Sequence, residues 1–396
     1  MKIERKERKE NGRKRIMLVT PMLHQGGFER ICVLTAKLLK DRYDVYLAVF
    51  NTQDIFYDVE GLQLIDLRLG AARGSLGKLA NICRRVRRLR QLKKELCIDI
   101  SYSFGTTANI ANVLSKGRDV TWAGIRGYSA LSDRGARLIF RRADCVISCT
   151  RTMEAEINRV FGTKKSETLY NPCDLAQIAA LSDTGRSGME KEPESGPLIV
   201  SMGREDDLKG FWHLIRSFAV VKGAVADARL MIIGEGSYAE YRKLAGDLGI
   251  ADAVCFTGAL RNPFPLLARA DVYALTSQSE GFPNALIEAM ACGTPCVSVN
   301  CKTGPAEILT EDYERYSDLS AVCEAEYGIL TPVFEGEKSL EPSITAQERQ
   351  YAQVIVDLLR DDAKRREYSK RAVERAGDFG VDRYVDQITG MVESAG

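Results

Sequence analysis

Two stretches of this sequence set charged side chains beside turn and helix-start residues. They are GREDDLKGF (203–211) and EGFPNALIE (280–288). Arg204 and Lys209 follow an apolar, strand-like run, and a planar guanidinium beside a compact ammonium suits a diphosphate. In the second stretch Pro283 has the fixed φ and missing N–H that suit a first helical position. The backbone N–H groups of Asn284, Ala285 and Leu286 would then be unpaired, an anion site at the same strand ends. Glu280, followed by Gly281 and Phe282, would stand at its mouth, where a carboxylate can accept from two adjacent hydroxyls. Glu288 lies one turn from Asn284 on the same helix face and can reach a second diol. Two diols flanking a diphosphate describe a nucleotide sugar. The plainer reading of the first stretch is a solvated loop with ion pairs to Glu205, Asp206 and Asp207. These acids are adjacent rather than spaced for octahedral coordination, so no metal is expected there. A glutamate at a helix start also favours the helix dipole, which accounts for Glu280 but not for the deeper Glu288.

The elements that must position these groups alternate between strand and helix. RIMLVT (15–20), a glycine turn, the helical ERICVLTAKLLK and the strand YDVYLAVF read as a βαβ unit of a parallel sheet. DISYSF (99–104), VTWAGI (120–125) and CVISCT (145–150) continue it, and residues 182–197, rich in Gly, Ser, Pro and charge, read as a linker. A second series opens at LIVSMGR and runs through RLMIIGEG, AVCFTG, DVYALTS and PCVSVN. The expectation is an α/β chain of two Rossmann-like doubly wound domains facing a central cleft.

The chain has 396 residues, and its 56 Lys and Arg against 54 Asp and Glu give a net charge of +2, which excludes a nucleic-acid partner for the molecule as a whole. No run of 18 apolar residues occurs and the N-terminus has no signal-like apolar stretch, so a cytoplasmic location is expected. Eleven cysteines lack CxxC pairing, which fits buried thiols in a reducing compartment. Charge is concentrated in the first residues and in RRVRRLRQLKK (84–94), seven basic residues without an acid. Leu79, Ile82, Val86, Leu89 and Leu96 would form the stripe of that helix facing the core. Arg84, Arg85, Arg87, Arg88, Arg90 and Lys94 would cover the rest, as a solvated face or one peripheral on an anionic membrane carrying a lipid-linked acceptor.

EGFPNALIE has the E-x7-E spacing of retaining glycosyltransferases of family 4, with the GT-B fold, and EAMACGTPCVSVNCKTGPAEIL resembles that family's continuation. GREDDLKGF, IIGEG, YGILTPV and GGFERI resemble further motifs of the family, in the right order. The resemblance implies that Arg204 and Lys209 bind the donor diphosphate, that Glu280 holds the transferred sugar and that Glu288 holds the ribose. It implies that Gly26 and Gly27 let backbone approach the phosphates, and that Gly234 to Gly236 and Gly258 to Asn262, with Leu260, border the base. No metal or other cofactor is implied.

The implied domains are a charged tail (1–14), an acceptor-side domain (15–181), the linker (182–197), a donor domain (198–375) and a C-terminal helix (376–396) packing back on the first domain. Many relatives carry a histidine in the first domain near the sugar, where this chain reads YSFGTTAN and IRGYSALSD. His24, beside Gly26, and Arg126, by position, are the remaining candidates for acceptor or sugar contacts, while His213 reads as packed. The expected reaction is retaining transfer of a hexose or N-acetylhexosamine from a nucleotide sugar, a UDP-sugar by preference, to a cell-surface glycan or lipid-linked acceptor. A UDP-sugar 2-epimerase of the same fold and a silent glycan-binding protein are the alternatives.

Overall fold

The protein is described by a computed structural model covering residues 12–71, 74–132, 135–162, 164–184 and 196–395. Most of the expected tail and linker, 1–11 and 185–195, lies outside these residues. Two compact α/β units are present: residues up to Pro172 together with Val381–Gly396, and Cys173–Gly380.

In the first unit β1 (Arg15–Thr20), β2 (Asp44–Val49), β3 (Gln63–Asp66), β4 (Ile100–Phe104), β5 (Val120–Ile125), β6 (Cys145–Ser148) and β7 (Ser166–Thr168) form one sheet. Its order is β3-β2-β1-β4-β5-β6-β7, with every pairing parallel. Ile16, Met17, Leu18 and Val19 of β1 are all buried because helices cover both faces, so the central strand is a continuous apolar run. The direction of winding reverses between β1 and β4, the position at which open α/β sheets bind ligands beyond their strand ends.

The second unit repeats this plan with β8 (Leu198–Met202), β9 (Arg229–Ile233), β10 (Val254–Gly258), β11 (Val272–Leu275), β12 (Cys296–Val299), β13 (Cys323–Glu324) and β14 (Ile329–Thr331). The order is β10-β9-β8-β11-β12-β14-β13, and winding reverses between β8 and β11. One edge departs from the parallel expectation, because β13 pairs antiparallel with β14. Each unit is Rossmann-like, and the chain has the GT-B architecture.

The domain limits need correction at both ends. The helix Leu175–Thr184, assigned above to the first domain, belongs to the second unit. Asn262 Nδ2 donates to Leu181 O at 2.9 Å, and Cys173 N donates to Phe379 O at 2.8 Å. The last helix begins at Val381 rather than 376, and Phe379 stays in the second unit against Phe282, with ring centres 5.4 Å apart. In the first unit Tyr384, Ile388, Met391 and Val392 of that last helix are buried among Leu18, Cys32, Ala36 and Tyr102. Tyr384 Oη and Thr35 Oγ1 lie 2.6 Å apart, and Tyr43 Oη donates to Glu393 Oε1 at 2.8 Å.

The basic segment lies on the helix Ser75–Glu95, and two of its expected features change. Leu79 is 60% exposed and Leu76 85% exposed, so the buried stripe starts only further along, with Leu89, Leu92 and Leu96. Lys93, not counted on the expected solvated face, is 4% exposed and its Nζ lies 2.9 Å from Asp119 Oδ2. Arg85 is half-buried, donating to Leu69 O and Gly70 O with its guanidinium 4.2 Å from the Phe50 ring centre. Arg84, Arg87, Arg90 and Lys94 remain as exposed cations. Among the described residues no helix is long and apolar enough to cross a membrane.

Candidate functional site in the second unit

After β8 the chain enters a tight turn whose three acids all have structural work. Asp206 Oδ1 accepts from Leu208 N at 2.9 Å and caps the short 3-10 turn Asp207–Lys209. Glu205 Oε2 accepts from Tyr238 N at 2.9 Å, and Asp207 pairs with Lys338 at 2.8 Å. The solvated-loop reading, in which these acids neutralise Arg204 and Lys209, therefore fails. Arg204 is exposed, and among the described residues its guanidinium has no carboxylate partner.

Lys209 instead turns back across Gly203, and its Nζ donates to Glu280 Oε1 at 2.7 Å, with the two side chains 26% and 10% exposed. Gly210 makes this turn possible. Its φ of +62° lies in the left-handed region, and a Cβ there would stand 2.3 Å from Thr276 O. Thr276 Oγ1 also donates to Lys209 O at 3.1 Å, fixing the turn to the end of β11.

The turn after β9 packs against the same place. Gly234 has φ +156°, and a Cβ on it would lie 1.8 Å from Gly203 O, so only glycine permits the approach. Tyr238, buried and left-handed with φ 51°, donates its hydroxyl to Gly203 O at 3.0 Å. A Cβ on Gly236 would lie 2.4 Å from Glu205 Cβ, and Gly234 N donates to Gly258 O at 3.0 Å. Gly234, Gly236 and the start of the Gly258–Asn262 loop are thus brought together, with Leu260 half-buried. Asn262 is otherwise employed: its amide holds Leu181 O, and its oxygen accepts from Phe264 N at 3.2 Å.

Beyond β11 the loop bearing Glu280 is anchored by Thr303, whose hydroxyl donates to Glu280 O. The helix begins at Asn284, so Pro283 is the flanking residue rather than the first helical one, a shift of one position. Phe282, Pro283 and Leu286 are buried, whereas Asn284 and Ala285 at the helix start are partly exposed. Leu286 N donates to Pro283 O at 2.9 Å, so it is not one of the unpaired amides expected at this helix start. Glu288 is buried at 4% exposure on the second turn.

The arrangement thus brings an exposed Arg204, a lysine with donors to spare, a carboxylate held by that lysine and a helix N-terminus to one end of the second sheet. Lys209 has three N–H donors, one of which holds Glu280, so it can position the carboxylate and still meet a phosphate oxygen. In the first unit, Gly26 N donates to Tyr57 Oη at 2.9 Å, and His24 and Gly27 lie in the same turn, half-buried and exposed respectively. Among the described residues no group of three or more His, Cys, Asp or Glu could hold a metal ion.

Sequence spacing could not reveal what supports this turn from beneath. His213 Nδ1 donates to Glu348 Oε1 at 2.6 Å, its ring stacks on Phe334 at 4.3 Å, and Arg216 lies 3.3 Å from the same carboxylate oxygen. Glu348 also forms a reciprocal cap with Thr345 at the start of the helix Ala346–Arg360. Burial opposes its charge, but the hydrogen bonds from His213 and Thr345 and the charge of Arg216 outweigh that and hold its carboxyl below the ordinary range. A carboxyl whose folded pKa is the lower one stabilises above its ordinary pKa, and that stability is lost as pH falls through the folded value. Glu348→Gln should therefore lower Tm near neutrality and flatten the acid limb of the Tm-against-pH curve below the ordinary carboxylate range. Parallel curves for variant and wild type would show that the cluster contributes no pH-dependent stability.

Residues 187–317 match the family model described as glycosyl transferases group 1. Among similar chains, an uncharacterized glycosyltransferase of Methanocaldococcus jannaschii is 28% identical over 275 residues, 67% of either chain. The N-acetylgalactosamine-N,N'-diacetylbacillosaminyl-diphospho-undecaprenol 4-alpha-N-acetylgalactosaminyltransferase of Campylobacter jejuni is 25% identical over 375 residues, covering 90% of this chain and 93% of that one. Among solved structures, Anabaena HepE in complex with UDP-glucose superposes with a TM-score of 0.74 at 19% identity over 96% of this chain and 99% of that one.

Proposed function

We propose that this chain, a glycosyltransferase of the GT-B fold, is a retaining family 4 enzyme that moves a hexose or N-acetylhexosamine from a UDP-sugar to a lipid-linked or glycan acceptor in cell-surface polysaccharide synthesis. One observation carries the reading: Lys209 and Glu280 form a 2.7 Å pair at the strand ends where Arg204 and the helix start at Asn284 also lie. Cations and helix amides there would hold the diphosphate and stabilise the charge it gains as the sugar departs. Glu280 would hold the hydroxyls of the transferred sugar and Glu288 those of the ribose. Gly281, Phe282 and the Gly234 and Gly236 turns would shape the donor site. In a retaining reaction the departing phosphate oxygen can take the acceptor proton on the same face, and positioning supplies much of the rest. The UDP-glucose complex of the Anabaena structure supports a UDP-sugar, and the Campylobacter relative's name supports a diphospho-undecaprenol type of acceptor. Both relatives are transferases by name, which favours transfer over epimerisation.

The test is to profile the purified chain against a panel of nucleotide sugars, reading nucleotide release with and without a lipid-linked acceptor. One UDP-sugar should give acceptor-dependent release, and because the clamp is cationic the rate should persist in excess EDTA. Release with no donor would remove the transferase reading, and loss with EDTA restored by Mg²⁺ would remove the metal-free one.

We also propose that the acceptor is met at a membrane surface. Leu76 and Leu79 stand exposed on the helix that carries Arg84, Arg87, Arg88 and Lys94, a combination suited to an anionic interface. Charge reversal of Arg84, Arg87 and Arg88 should abolish sedimentation with phosphatidylglycerol liposomes at low salt yet spare donor hydrolysis in solution. Equal sedimentation of variant and wild type would leave only a solvated face.

A further inference from the structure

Arg126 follows β5 at the ligand-binding end of the first unit's sheet, and its surroundings are unusual for a cation. Its guanidinium is partly buried, with one amine donating to Asn171 Oδ1 at 2.5 Å and the other to the hydroxyl of Tyr102. The guanidinium carbon lies 5.1 Å from the ring centre of Phe104 and 5.8 Å from that of Tyr102, while Nε is shielded from solvent and has no acceptor. Among the described residues no carboxylate pairs with it. The titratable groups around it include Tyr102, Tyr384 and Cys32, and burial pushes all three up, Tyr384 to about 12, so they stay neutral. Other buried cations of this chain are treated differently: Lys93 faces Asp119 at 2.9 Å, and Arg216 faces Glu348 at 3.3 Å.

An arginine cannot shed its proton to escape burial, and a desolvated charge without a counter-ion is costly. A chain that keeps one at a sheet's ligand-binding end, with an unused donor, has left the anion to be brought by something else. We infer that Arg126 receives a negatively charged group, a phosphate or carboxylate, carried by the acceptor substrate. The inference rests on the transferase reading and adds the chemical class of the acceptor. The acceptor is the source because the donor's diphosphate is assigned to Arg204 and Lys209 of the second unit. Arg126 then selects anionic acceptors by a charge-assisted, fork-shaped contact that neutral glycans cannot make.

The experiment follows thermal stability of the full chain during titration with inorganic phosphate and, separately, malonate, in the presence and absence of saturating UDP. UDP fills the donor clamp, so a response that persists with UDP reports a second anion site. The wild type should show a saturable rise in Tm under UDP. Arg126→Met should lose that rise, and Arg126→Lys should keep it with apparent affinity at least about tenfold weaker, because the fork geometry is gone. Near-UV circular dichroism, sensitive to Trp122 packed 6.0 Å from Tyr102, verifies folding of each variant, and Arg126→Lys carries the test if Arg126→Met does not fold. An unchanged rise in the variants overturns the inference. So does a wild-type rise that UDP alone abolishes, which would make the donor the source of the anion. Failure of every nucleotide sugar to react would sink the transferase reading while leaving the Arg126-dependent response to be read independently.

Discussion

Glu280→Gln is expected to lower kcat by about tenfold to a hundredfold while leaving the affinity for free UDP nearly unchanged. Glu288→Gln should instead raise the donor KM and weaken UDP binding by a similar factor, since a buried hydrogen bond to a charged group is worth about 1.5 to 3 kcal/mol. The difference follows from what each carboxylate would hold. Glu280 would touch the sugar, which gains positive charge in the transition state, whereas the ribose held by Glu288 is unchanged by the reaction. The structure separates them physically. Glu280 is at the surface of the site and held by Lys209, while Glu288 is buried on the second helical turn. Kinetics and calorimetry on the two variants side by side decide the matter. The same kinetic signature in both, or loss of UDP affinity in Glu280→Gln alone, would refute the assignment.

The second large effect concerns the cations. Arg204→Ala and Lys209→Ala should each reduce turnover by at least about tenfold and weaken UDP binding with little change in Tm, each removing a charge-assisted contact to phosphate. Lys209→Ala should be the more damaging, because it also frees Glu280. Groups that touch are not additive, so Lys209→Ala and Glu280→Gln combined should cost less than the sum of the single changes, with a coupling of about 0.5 to 3 kcal/mol. Arg204→Ala combined with Glu280→Gln should be nearly additive. Normal turnover in both single variants would dismiss the diphosphate clamp, and additivity in the Lys209 pair would show the 2.7 Å contact to be functionally silent.

Long-range features account for most of what the sequence concealed. The central strands announce themselves, since β1, β8 and β11 are buried on both faces and carry long apolar runs, and β4 sets Ile100, Tyr102 and Phe104 between buried serines. β3, half-buried at an edge, and the two-residue β13 carry no such pattern. The helix Leu175–Thr184 falls within the limits expected for the first domain, and packing on the helices Phe264–Arg269 and Asn284–Ala291, with contacts to Asn262 and Cys292, assigns it to the second unit. In the site, Arg204, Lys209, Glu280 and the helix start were legible because each sits within nine residues of a turn or helix signal. The Lys209–Glu280 pair was not, since its partners are 71 positions apart. The same holds for Glu348 beneath His213, 135 positions away. Leu79 fitted a helical stripe and yet lies exposed, because periodicity gives the face of a helix but not how far along its length that face is covered.

The helix Val381–Ser394 gives the order of synthesis a physical consequence. The ribosome makes β1 to β7 first, but the groove that Tyr384, Ile388, Met391 and Val392 fill stays open until the whole of Cys173–Gly380 has been translated. Full burial of such side chains is worth about 1.5 to 3 kcal/mol each, so the nascent first unit waits in a less stable form with an apolar flank uncovered. Its last stabilising step is coupled to completion of its neighbour. A fragment cut at Pro172 would lack that final helix altogether, and an excised first domain would need residues 381–394 supplied from elsewhere to close its core.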